Sequence, residues 1–205
     1  MPGLAKNHDF YRTPQETTTL LIDGSPPDPA SLLIEPSAGE GHICRALEWH
    51  GYVVSLAVEL RAEERERLEQ DAVTVIIGDW LNLVRQDSFR DDLQVQMTDA
   101  GISIVGNPPW SLACQFIQAC LSLNPDYLAL LLPWQLPARP PSKKTRAAER
   151  DAWEVVFSGH QPTGLHPVPR PSFTMDGKSG VSECGWFVWQ KGQSRVNLQP
   201  WMEGK

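Results

Sequence analysis

The chain has 205 residues, 41% of them hydrophobic and 21% charged, which fits a folded protein with a sizeable core rather than a disordered one. No apolar stretch approaches the ~18–20 residues of a membrane span, and Met1-Pro2-Gly3-Leu4-Ala5-Lys6 lacks the apolar core of a secretory signal, so a cytoplasmic, membrane-free protein is expected. The net charge of −7 argues against a polyanionic partner only until it is divided: residues 1–100 carry 8 Lys+Arg against 18 Asp+Glu, and residues 101–205 carry 10 against 7.

In chain order, Leu32-Leu33-Ile34-Glu35 predicts a buried strand, followed by the turn Pro36-Ser37-Ala38-Gly39-Glu40-Gly41. A helix is expected from about His42 to His50, with Ile43, Ala46 and Leu47 on one face and Gly51 ending it. Tyr52–Val58 reads as the second strand, ending at Glu59. Residues 61–70 read as a helix with an exposed acidic face from Glu63 to Glu69. Val73–Ile77 is the third strand, ending near Gly78-Asp79. The stretch 81–100 fits no single pattern. Strand four is 102–105, helix Ser111–Leu123 follows, and Tyr127–Leu132 is an almost wholly apolar fifth strand. Residues 134–142 are Pro-rich, a helix is expected near 145–157, and 158–182 reads as loop or irregular β. Glu183–Gln190 is the last strand. Apolar strands alternating with helices imply a parallel sheet covered on both faces. The expectation is one domain, 1–205, with a loop-rich insertion at about 134–182 as the candidate substrate-binding region.

The cysteines (Cys44, Cys114, Cys120, Cys184) form no Cys-x-x-Cys pair, which predicts free thiols and no zinc site. The five histidines are scattered, so no metal centre is expected. A basic cluster, Arg139, Lys143, Lys144, Arg146 and Arg150, reads either as a solvated face or as a set of phosphate contacts.

Ligands of open parallel sheets bind outside the carboxyl ends of the strands. Glu35, the Gly39/Gly41 turn, Glu59, Asp79 and Asn107 all fall at such ends. Glu59 stands where a carboxylate takes the two hydroxyls of a ribose. The dinucleotide pattern Gly-x-Gly-x-x-Gly is not met, because position 44 is Cys, so a nucleoside cofactor without a pyrophosphate fits better. A generic turn with caps is the plainer alternative. Asn107-Pro108-Pro109-Trp110 is the most informative stretch. Two prolines cannot continue a strand. They eject the chain rigidly, with an amide at the tip and an indole behind it, a set of parts suited to a planar substrate bearing an NH2 group.

Glu35-Pro36-Ser37-Ala38-Gly39-Glu40-Gly41, Glu59, Gly78-Asp79-Trp80 and Asn107-Pro108-Pro109-Trp110 together resemble motifs I to IV of class I S-adenosylmethionine-dependent methyltransferases. More narrowly, they resemble amino-methyltransferases acting on adenine N6. Asp9-Phe10-Tyr11-Arg12-Thr13-Pro14 resembles motif X placed ahead of motif I. Arg170-Pro171-Ser172-Phe173-Thr174, continuing to Trp186-Phe187-Val188-Trp189, resembles the C-terminal part of small phage- and prophage-type DNA adenine methyltransferases. The resemblance spans nearly the whole chain except 81–100 and 134–165. It implies a Rossmann-like, doubly wound α/β fold of the class I methyltransferase type.

It also implies site roles. Phe10, Tyr11 and Pro14 cover the cofactor; Glu35, Ser37, Gly39 and Gly41 line its methionine part; Glu59 holds the ribose; Asp79 and Trp80 hold the adenine. Asn107 and Pro108 accept hydrogen bonds from the target amine, Pro109 stiffens the turn, and Trp110 stacks on the base. Apart from the resemblance, the basic residues Lys143, Lys144 and Arg146, with Arg170 and Phe173, are the candidate nucleic-acid contacts, with DNA the first expectation. RNA adenine or a protein glutamine are alternatives with the same chemistry, and a catalytically degenerate binding subunit is an alternative of another class. For Trp110 the plainer alternative is a core aromatic, and for Asp79 a strand-end cap.

Overall fold

The computed structural model describes residues 12–97, 99–138, 147–169, 171 and 183–196. Phe10, Tyr11, Lys143, Lys144, Arg146, Arg170 and Phe173 lie outside the described residues.

Seven strands form one sheet in the order β3-β2-β1-β4-β5-β7-β6. They are β1 Leu32–Glu35, β2 Leu56–Glu59, β3 Thr74–Ile77, β4 Ile102–Gly106, β5 Tyr127–Pro133, β6 Gly164–Val168 and β7 Cys184–Gln190. β1 to β5 are mutually parallel, and β7 runs antiparallel to both β5 and β6. The order starts at β1, winds outward through β2 and β3, then restarts at β4 on the other side. The crevice where the winding reverses lies between β1 and β4, at their carboxyl ends. This is the doubly wound, mostly parallel sheet expected from the sequence.

The helices are α1 Gln15–Gly24, α2 His42–Trp49, α3 Arg65–Leu68, α4 Trp80–Leu83, α5 Asp87–Gln96, α6 Ala113–Ser122 and α7 Ala147–Glu154. Strand alternation splits the core into two layers. Leu32, Ile34, Ile104, Leu128, Leu130 and Phe187 face α4 to α7. Leu33, Val105, Ala129, Leu131 and Trp186 face α1 to α3. The four cysteines are buried and free. Burial pushes the Cys120 and Cys44 thiols far up, so both are inert packing groups.

The differences from the sequence expectations have local causes. β2 begins at Leu56 rather than Tyr52, because residues 52–55 approach the sheet before pairing fully with β1 and β3. The helix expected over 61–70 is a short 3-10 turn, Ala62–Glu64, followed by α3. Its acidic face is not wholly solvated: Glu64 is buried between Arg61 and Arg67. The unassigned stretch 81–100 holds α4 and α5. Asp79 caps α4 and Phe89 and Leu93 anchor α5 to the core. α1, for which no helix was expected, is held by Trp186 Nε1, which donates to Thr17 O at 2.8 Å. β6 falls within 158–182 and forms the sheet edge beside β7. Among the described residues, no helix is long and apolar enough to cross a membrane.

Candidate active site

The turn after β1 is set by two left-handed glycines, Gly39 at φ 57° and Gly41 at φ 79°. Gly41 is doubly constrained: a Cβ there would stand 2.4 Å from Asp71 Oδ2 and 3.0 Å from Arg45 Nη1, the two partners of a salt bridge. The turn is therefore clamped against the α3–β3 connection. Gly39 N–H donates to Glu59 Oε2 at 2.7 Å, tying the turn to the end of β2. Glu59 Oε1 accepts from Arg61 N–H at 2.9 Å and from Arg61 Nε at 3.0 Å. One lone pair of Oε2 is left for a further donor.

Glu35, at the end of β1, is 1% exposed. Its Oε1 accepts from Ser37 N–H at 3.2 Å, while its Oε2 is buried without a partner. Burial pushes this carboxyl up to about 8; the Ser37 N–H pulls it down and the nearby Glu59 carboxylate adds to the rise. Glu35 also leans on β4: a Cβ on Gly106 would lie 2.6 Å from its Oε1 and 2.9 Å from Pro36 Cδ. Gly106 is thus the residue that lets the first motif and the Asn-Pro-Pro-Trp turn approach each other. Sequence reasoning passed over it, although a glycine immediately before a strand-end Asn-Pro-Pro was a visible signal.

Asn107 is half-buried, and its amide is held on both sides. Nδ2 donates to Thr13 Oγ1 at 3.1 Å, and Oδ1 accepts from Trp110 Nε1 at 3.1 Å. The same indole N–H is shared with Leu131 O of β5, also at 3.1 Å. Trp110 is itself half-buried against the α1-to-α3 layer, so its first role here is to orient Asn107. Thr13 is 3% exposed and immediately precedes Pro14, the half-buried residue that leads into α1. The segment expected to cover a cofactor therefore touches the Asn-Pro-Pro-Trp turn through Thr13, which the sequence reading did not single out. Beside it, Arg12 pairs with Glu40 at 2.9 Å, and Arg67 reaches the same carboxylate at 3.3 Å. Burial alone would raise the Glu40 carboxyl; Arg12 foremost, with His42 and Arg67, reverses this and holds it low.

Asp79 acts as a cap: Oδ1 accepts from Leu81 N–H at 2.9 Å and Oδ2 from Asn82 Nδ2 at 2.8 Å. Trp80 is 2% exposed and meets Phe89 edge-on at 6.0 Å, so its ring belongs to the core rather than to the crevice surface. Pro108 and Pro109 carry the chain from β4 into the 3-10 turn Trp110–Leu112. The structure thus gathers Glu35, Ser37, Gly39, Glu59 and Asn107 at one edge. Trp80 stands behind that edge. Of the basic cluster, Arg150 alone is described, half-buried on α7. Among the described residues, no three His, Cys, Asp or Glu side chains are placed to hold a metal ion.

No family model and no curated protein sequence matches the chain. Solved structures do. A provisionally assigned RNA methyltransferase of Pyrococcus horikoshii aligns with a TM-score of 0.58 at 15% identity, over 91% of this chain and 86% of its own. The M protein of the type I restriction enzyme EcoKI aligns with a TM-score of 0.55 at 13% identity, over 90% of this chain and 45% of its own. A provisionally assigned methyltransferase in complex with SAH aligns with a TM-score of 0.52 at 10% identity, over 92% and 56%. The chain spans about half the length of these last two proteins. At such identities the likeness is one of fold: the chain has the Rossmann-like class I methyltransferase fold.

Proposed function

We propose that the protein is an S-adenosylmethionine-dependent methyltransferase acting on the N6 amine of adenine in DNA. The observation that carries this reading is Asn107, an amide held by Thr13 and Trp110 at the carboxyl end of β4, beside the acid-lined turn after β1. The M protein of the type I restriction enzyme EcoKI shares the fold, as does a provisionally assigned methyltransferase in complex with SAH.

The residues present fit the cofactor. Glu35 Oε2 is a buried acceptor without a partner, suited to a cationic ammonium donor. Glu59 Oε2 keeps a lone pair for a ribose hydroxyl. Asp79 accepts one hydrogen bond at each oxygen and has acceptor capacity left for an amino group. When bound, S-adenosylmethionine supplies a methyl group on a sulfonium.

The chain's own contribution is positioning and fixed dipoles. The lone pair of an aromatic amine is delocalised into its ring, which makes it a poor nucleophile. The second lone pair of Asn107 Oδ1 and the carbonyl of Pro108 accept from the two N–H groups. This favours a pyramidal nitrogen whose lone pair points away from the turn. The nitrogen grows more acidic as it is alkylated, so its proton passes to water without a strong base. In a duplex the base must first be extruded. In this reading 134–182 is the substrate-facing region of a single domain, and Lys143, Lys144, Arg146, Arg170 and Phe173 are its nucleic-acid contacts.

The test is labelled methyl transfer to unmethylated DNA, RNA and protein, with Asn107→Ala as control. Label in DNA adenine, reduced at least about 100-fold by the substitution, is the expected result. Label in RNA adenine would keep the chemistry and change the polymer. Label on protein alone would sink the reading. Cofactor binding without transfer to any substrate would favour a degenerate binding subunit.

A further inference from the structure

Trp134 has no part in the chemistry above, yet it stands at the same edge of the sheet. Its backbone N–H donates to Glu183 O at 2.9 Å, so the β5–β7 ladder continues one residue past the Pro133–Cys184 pair. Its indole lies against Gly185, where a Cβ would come within 2.9 Å of both Cε3 and Cζ3. The ring is 6.0 Å from Phe187, and Phe187 is 6.5 Å from Trp189. Phe187 and Trp189 are 1% and 7% exposed, whereas Trp134 is 37% exposed. An aromatic row therefore runs through the core along β7 and surfaces at Trp134.

The position is specific. Gly106 pairs with Leu130, and Trp110 Nε1 reaches Leu131 O. Trp134 is three residues further along, about 10 Å at the usual strand rise. Trp110 leans on the layer facing α1 to α3, while Trp134 joins the row facing α4 to α7. Two indoles thus flank the carboxyl edge from opposite faces of the sheet. The other exposed tryptophan among the described residues, Trp49, ends α2, which leads away from that edge. With its backbone in a ladder and its ring backed by Gly185 and Phe187, Trp134 loses little freedom when a flat ligand covers it.

We propose that Trp134 is a stacking platform for an unpaired base of the DNA strand whose adenine reaches Asn107, an inference that rests on the adenine reading. Stacking on an exposed aromatic is tolerant of sequence and is a common way to hold single-stranded bases.

The test uses the full chain and a fluorescein-labelled single-stranded oligodeoxynucleotide of mixed sequence, read by anisotropy. The same oligonucleotide carrying 5-bromouracil is used for photocrosslinking to the wild-type protein. Trp134→Phe is expected to bind within about threefold of wild type. Trp134→Leu keeps apolar cover over Phe187 without a π-face, and is expected to bind about tenfold more weakly. The crosslinked peptide is expected to contain Trp134. Equal binding by Trp134→Leu, no binding by wild type, or crosslinks confined elsewhere would overturn the platform. Methyl transfer is scored separately: intact binding and crosslinking with no label in DNA would sink the adenine reading and leave the platform standing.

Discussion

The two sides of the crevice are built from different materials. On the β1–β2 side, the crevice is held by carboxylates: Glu59 receives Gly39 and Arg61, and Glu35 sits buried with one oxygen unpartnered. On the β4–β5 side it is held by neutral groups: the Asn107 amide, the Thr13 hydroxyl, the Trp110 indole and a backbone carbonyl. A charged, hydroxyl-rich cofactor needs acceptors with full charge. A planar amine needs directional acceptors that do not remove its proton outright. The difference separates binding from chemistry, and each side can be perturbed without the other.

The largest effect is expected where the two sides meet. Gly106→Ala would drive a methyl against Glu35 Oε1 at 2.6 Å and Pro36 at 2.9 Å. Neither the proline ring nor the carboxyl of a 1% exposed residue can swing clear. Destabilisation of about 2–3 kcal/mol is expected, read as a lowered urea midpoint, with cofactor binding and methyl transfer lost together. An alanine variant as stable as wild type would show that the two sides are not in contact through this position.

How much of this was legible in the sequence follows the same divide. Strand ends and the two proline-locked or glycine-locked turns were readable, because apolar runs, Gly39/Gly41 and Pro108-Pro109 impose local geometry. α1 was not, since Thr17 and Thr18 are poor helix formers and the helix is tied down at Thr17 O by Trp186, 169 residues away. Asp79 read equally well as cap or ligand, and its cap contacts are the ones the structure shows. Trp80 followed a motif, and only tertiary packing reveals that its ring lies in the core. Thr13 and Trp134 were invisible for a related reason: each matters through a partner distant in sequence, Asn107 or Gly185.

The next effect tests the charged side. The Glu35 carboxyl is held up to about 8 in the fold, against about 4.5 when unfolded. Between these values the native state binds the proton and the unfolded state does not, so this group's contribution to stability falls as pH rises through the window and is flat outside it. Glu35→Gln cannot ionise and removes that slope. The variant is expected to gain on wild type, by about 2–3 kcal/mol from pH 5 to pH 7, in urea midpoints compared pairwise. A constant difference would mean that Glu35 is already ionised at pH 5. Cofactor affinity is expected to fall most in the variant above about pH 8, where Glu35 of the wild type carries its negative charge.

The smallest effect tests the neutral side without touching its charge or its core. Trp110→Phe keeps an aromatic ring at the turn but deletes the N–H shared by Asn107 Oδ1 and Leu131 O. Leu131 O then loses the indole donor, and the Asn107 amide keeps Thr13 to fix it. Loss of a shared neutral hydrogen bond costs about 1 kcal/mol, so roughly a fivefold to tenfold fall in kcat is expected, with the KM for cofactor unchanged. If ring stacking were the chief service of Trp110, phenylalanine would restore most of kcat, and the loss would appear instead in the KM for DNA. A fall in kcat alone therefore assigns Trp110 to holding the amide. It would place the grip on the base elsewhere along the same edge, where Trp134 is the exposed ring.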